Sequence, residues 1–105
     1  TKAWSEAVGA MTAATTATTV VALRIGYFHV DRPAATGDPP ERTAWLSGRD
    51  AAELVRAAVE ADLPAAAAGF VVANGVSANT HLVADLEETC ASLGYAPVDD
   101  AWDLR

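Results

Sequence analysis

The most constraining stretch is Val20–Ile25, VVALRI, an almost unbroken apolar run entered directly from a helix-patterned segment. Such a run, rich in β-branched residues, suits a strand covered on both faces, which is the environment of a parallel sheet. Ahead of it, Trp4, Ala7, Val8, Met11 and Ala14 recur at the three-and-four spacing of one helix face. Five threonines between positions 12 and 19 restrict side-chain rotamers and weaken that helix, so it is expected to end by about residue 15. A second run, Gly69–Ala73, reads as another strand buried on two faces. Helix, strand, helix, strand is the order of a layered α/β protein. Two buried strands do not make a stable parallel sheet alone, so further strands are expected to flank them, from a missing part of the chain or another molecule.

Between the strands, Gly26–Thr43 carries three prolines and two glycines and is expected to lack regular structure. Ser47-Gly48-Arg49-Asp50 is a capping-box pattern with Ser47 as N-cap. The helix it opens, to about Ala61, groups Ala51, Leu54, Val55, Ala58 and Val59 on one face, with Glu53 and Arg56 at pairing distance. A final helix is expected over Leu82–Leu93, closed by Gly94, with Leu82, Val83, Leu86 and Cys90 in one stripe. Asn74-Gly75 reads as a turn, and Asn74, Ser77 and Asn79 as turn and capping residues. Asp99, Asp100 and Asp103 read as a solvated acidic tail.

At 105 residues the chain is one domain at most. Its net charge of −7 repels phosphate backbones, which argues against nucleic acid as a partner. No apolar stretch approaches the length of a membrane-spanning helix, so no membrane partner is expected. The single cysteine, Cys90, forms no internal disulfide and fits a reducing cytoplasm. His29 and His81 lack companion ligands at a helpful spacing, so no metal site is expected.

Four stretches in order carry a resemblance: Thr1–Ala7 (TKAWSEA), Leu23–Gly26 (LRIG), Trp45–Asp50 (WLSGRD) and Ala73–Thr80 (ANGVSANT). Together they resemble the extended short-chain dehydrogenase/reductases, within them the NAD-dependent epimerase/dehydratase group and its uronate dehydrogenase-like members. The resemblance implies the C-terminal part of a Rossmann-like parallel-sheet α/β protein, incomplete here, with two buried strands and three helices. It implies a parent that uses NAD or NADP on a sugar, a sugar acid or a nucleotide sugar. Lys2 then corresponds to the lysine of the family's Tyr-x-x-x-Lys, a catalytic residue that also binds the nicotinamide ribose. The tyrosine belongs four residues ahead of Lys2. A phenol titrates near pH 10, and a cation one helical turn away stabilises its phenolate. The Ile25 backbone is expected to border the nicotinamide, Tyr27 to face substrate, and Arg42, with Arg32 as the alternative, to hold a substrate carboxylate. The first helix is expected to serve a homodimer. Neither that tyrosine nor a glycine-rich phosphate loop occurs in the sequence, so the chain is expected to be inactive alone. The competing reading is a non-enzymatic, small acidic α/β interaction module.

Overall fold

The computed structural model describes residues 2–16, 18–34, 39–61, 69–82 and 85–102. In chain order they form α1 (Lys2–Thr15), β1 (Val20–Ile25), β2 (Tyr27–Phe28), α2 (Pro39–Thr43), β3 (Trp45–Leu46), α3 (Gly48–Glu60), β4 (Phe70–Gly75) and α4 (Glu87–Leu93). β1 and β4 pair in parallel from Val20 opposite Phe70 to Ile25 opposite Gly75, and β2 pairs in parallel with β3. The parallel α/β arrangement expected from the two apolar runs is therefore present.

Side-chain alternation puts helices on both faces of the β1–β4 sheet. A Cβ on Gly9 of α1 would lie 3.1 Å from Phe70 and 3.2 Å from Val20, so α1 covers the face of the even-numbered strand residues. A Cβ on Gly75 would meet Leu54 of α3 at 2.4 Å, so α3 covers the odd-numbered face. On that second face lies the core: Leu46, Leu54, Ala57, Ala73, Val76, Leu86, Leu93 and Tyr95. Val21 and Leu23 pack against it from β1.

Several expectations change. The helix capped by Ser47 forms, with Ser47 Oγ accepting the Asp50 N–H at 3.0 Å and Arg56 pairing with Glu53 and Glu60. It buries Asp50, Leu54 and Ala57, but leaves Val55 and Val59 of the expected apolar face exposed. The second strand runs Phe70–Gly75 rather than Gly69–Ala73, because Gly69 takes a left-handed φ of 73° and the Asn74-Gly75 pair stays extended against β1. The segment from Gly26 to Thr43 does hold regular structure, namely β2 and α2. Gly26 makes β2 possible: a Cβ there would sit 2.2 Å from the Ala44 carbonyl oxygen, which accepts the Tyr27 N–H. Pro39 and Pro40 open α2, where the first turn requires no backbone donors.

The last helix is shorter than expected. It spans Glu87–Leu93, preceded by Asp85, whose carboxylate accepts the Glu87 N–H. Leu86 is buried and Cys90 packs at the edge of the core, Leu82 is exposed, and Val83 lies outside the described residues. Gly94 closes the helix in the left-handed region, as read. With α2, the described residues hold four helices rather than three.

The strands are also less covered than expected. In β1, Val20–Leu23 are only half-buried and Arg24 and Ile25 are exposed. The helix α1 turns its large apolar residues away from the sheet: Trp4 is 72% exposed and Met11 67%. Glu6, Gly9 and Ala13 face the strands instead. Small residues at positions 9 and 13 let the helix approach closely, which leaves the bulky stripe on its outer side.

Candidate functional site

In an open parallel sheet the carboxyl ends of the strands form the ligand-binding edge. Here those ends are Ile25 and Gly75, side by side, continuing into Gly26–Tyr27 and Val76–Ser77. Ile25 is 44% exposed and Tyr27 39%. The Tyr27 ring stacks on His29 with centroids 5.8 Å apart and planes 7° from parallel, presenting a flat aromatic surface beside Ile25.

The floor under this edge is a buried polar scaffold. Ser77 N–H donates to the Trp45 carbonyl at 2.8 Å, and Ser77 Oγ accepts the Ser47 N–H at 3.0 Å. Asn79 donates to the same Trp45 carbonyl and accepts the Ala101 N–H at 2.9 Å. These buried side chains fix β3 to the loop after β4, so Ser77 and Asn79 act in long-range tertiary bonds rather than as the turn and capping residues expected.

Of the two arginines considered for a carboxylate, Arg32 is committed to structure. It donates to the Asp100 carbonyl at 2.9 Å and lies 5.6 Å from the Trp45 ring centroid. Arg42 lies in the last turn of α2, two residues before the carbonyl that Tyr27 binds, and its guanidinium carbon is 4.3 Å from the Trp102 ring centroid. His81 meets Trp102 edge-on at 5.0 Å. Tyr27 stands on β2 and Arg42 on α2, just ahead of β3 in the chain. Lys2 is the first residue of α1, and its side chain lies outside the described residues. Thr1 and Asp103 also lie outside them.

The tail is not the solvated acidic run expected. Asp50, fully buried, accepts the N–H groups of Val98 at 2.8 Å and Asp99 at 3.0 Å. Asp99 accepts from Ser47 Oγ at 2.6 Å and pairs with Arg49, while Asp100 accepts from Thr80 Oγ1 at 2.6 Å. Nothing local in the sequence announces these contacts, which join residues 20 to 52 positions apart. Arg49 is the main reason the Asp99 carboxyl is held below its ordinary value of 3.8, and the Ser47 hydroxyl adds to the effect. A depressed folded pKa means that this anchor is complete above that value and is lost as pH falls through the folded one. The Asp99 amide resonance should therefore hold steady from pH 7 to 5 and move below about pH 4. In Arg49→Gln that transition should come at higher pH, and an unchanged midpoint would contradict the pairing.

Two groups do no acid–base work here. Burial pushes the Tyr95 phenol far above its usual range, where it donates to the Val76 carbonyl at 2.8 Å. Burial also raises the Cys90 thiol. Among the described residues no group of three His, Cys, Asp or Glu is placed to hold a metal, and no helix is long and apolar enough to cross a membrane. For a nicotinamide cofactor the fit is partial. Ile25 offers an exposed apolar edge for its ring, and the chain after β1 and β4 (GYFHV, GVSANT) contains no glycine-rich cradle for a pyrophosphate.

No protein-family model matches the sequence, and no curated protein matches it. Solved structures do. Glucuronic acid dehydrogenase from Chromohalobacter salexigens superposes with a TM-score of 0.76 at 24% identity, over 95% of this chain and 34% of that one. A mutated uronate dehydrogenase superposes at 0.77 and 24% identity, over 94% of this chain and 33% of that one. The shared property is the fold. This chain spans about a third of the length of those dehydrogenases, and the resemblance read from its four motifs is met at the level of architecture.

Proposed function

We propose that this chain is the C-terminal portion of an NAD(P)-dependent oxidoreductase acting on a sugar acid, residues 1–105 forming the C-terminal portion of its NAD(P)-binding Rossmann-like domain, including substrate-side loops. One observation carries the reading: nearly the whole chain shares its fold with part of two sugar-acid dehydrogenases. The nicotinamide cofactor, when bound, supplies the hydride acceptor or donor. Lys2 stabilises the phenolate of a tyrosine one turn ahead on the same helix and hydrogen-bonds the nicotinamide ribose. Ile25 borders the nicotinamide, and Tyr27 faces the substrate. Arg42, whose guanidinium carbon lies 4.3 Å from the Trp102 ring centroid, takes the substrate carboxylate with its planar fork. The outward stripe of Trp4, Val8 and Met11 serves a homodimer, and the enzyme works in the reducing cytoplasm.

The test is a spectrophotometric assay of NAD or NADP reduction with hexuronic acids. The purified chain should show none, since its sequence holds neither the tyrosine of the Tyr-x-x-x-Lys pattern nor a glycine-rich phosphate loop. A chimera with this chain replacing the matching third of a uronate dehydrogenase should show it. Turnover by the isolated chain, or a folded chimera with no activity, would contradict the reading.

A further inference from the structure

Trp102 touches a basic side chain from each of the two segments that leave the carboxyl edge of the β1–β4 sheet. The Arg42 guanidinium carbon, from the segment after β1, lies 4.3 Å from its ring centroid. His81, from the segment after β4, meets the same ring with centroids 5.0 Å apart and planes at 81°. The backbone under this ring is fixed from several directions. The Asp100 carboxylate accepts the Trp102 N–H at 2.9 Å, the Thr80 N–H at 2.9 Å and the Thr80 hydroxyl at 2.6 Å. Buried Asn79 accepts the Ala101 N–H at 2.9 Å, and Arg32 donates to the Asp100 carbonyl at 2.9 Å.

The hydrophobic core does not account for this anchoring at Trp102, whose ring is half-buried and outside the core cluster. What the anchored turn delivers is an indole ring beside Arg42. A long arginine side chain carries much rotamer entropy, and fixing it on a carboxylate costs affinity unless it is already held. Attraction between a guanidinium and an indole ring holds the side chain through its charge and consumes no N–H donor. It is therefore compatible with the forked bonding that a carboxylate needs. Arg32 shows the contrast: it lies farther from its ring, 5.6 Å from the Trp45 centroid, and spends a donor on the Asp100 carbonyl.

We propose that Trp102 is a positioning residue for Arg42: the anchored turn sets its ring so that the guanidinium is held ready for the substrate carboxylate. This rests on the role proposed above for Arg42. The bonds of Asp100 to Thr80 and of Ala101 to Asn79 then serve the substrate site as well as the fold.

The experiment assays the uronate dehydrogenase chimera with a hexuronic acid. Trp102→Leu should raise KM about tenfold and leave kcat within about twofold, the pattern of lost substrate binding. Trp102→Phe keeps an aromatic ring and should recover most of that loss. With Arg42→Ala already present, Trp102→Leu should add less than about twofold, because the side chain it positions is gone. In the chain alone, nuclear magnetic resonance should show the Arg42 side-chain protons moving out of the indole ring current in Trp102→Leu. The Thr80 amide should stay in place, marking an intact turn. An unchanged KM in Trp102→Leu, or a Trp102→Phe variant no better than Trp102→Leu, would overturn the role of Trp102 while the activity stands. So would an effect of the same size without Arg42, or Arg42 protons that do not move. A folded chimera with no activity would instead overturn the proposed function, and this role with it.

Discussion

Lys2→Met in the chimeric dehydrogenase should lower turnover at neutral pH by about 10²- to 10⁴-fold, the usual worth of a positioned acid–base group. The reasoning is electrostatic. A phenol near pH 10 is almost wholly protonated at pH 7, and a cation on the same helix face brings the phenolate within reach. Methionine keeps the length of the side chain and removes the charge. The loss should therefore shrink as the assay pH rises toward 10, where the phenol ionises unaided. A variant that keeps full activity at pH 7, or loses the same factor at every pH, would contradict this role.

Asp50→Ala carries the largest expected effect on stability, a loss of about 3 kcal/mol. The carboxylate is fully buried and accepts the N–H groups of both Val98 and Asp99. Alanine leaves both donors without a partner inside the protein. Chemical denaturation should show a lower midpoint, and limited proteolysis should cut near Val98 first. Asp50→Asn retains one acceptor oxygen and should lose about half as much. Equal stability of the alanine variant would mean that the tail is held by Asp99 and Asp100 alone.

These two residues show where the sequence was legible. The bounds of β1, the end of α1 near Thr15 and the Ser47 cap are local matters of spacing, rotamers and hydrogen-bond reach, and they could be read directly. Asp50 was legible only as part of a capping pattern. Its main work is at the tail, 48 and 49 residues away, and no local pattern encodes that. The apolar stripe of α1 was visible too, but not its direction. Gly9 and Ala13 decide that by letting the helix approach β1 and β4 with its small side inward. In the candidate site, the sequence places Ile25 and Tyr27 at a strand end, and the resemblance alone implies their roles. Arg32 and Arg42 each lie over a tryptophan, Trp45 thirteen and Trp102 sixty residues on, and no local pattern encodes either contact.

The most direct test of Lys2 beside the cofactor uses a chemical peculiarity of the chain: it contains a single lysine. NAD oxidised to the dialdehyde at its nicotinamide ribose forms an imine with a nearby amine, which borohydride traps. Applied to the chimera and mapped by mass spectrometry, the label within these 105 residues should fall on Lys2 and be suppressed by excess NAD. An active chimera whose Lys2 stays unlabelled, or is labelled equally with and without NAD, would contradict the account.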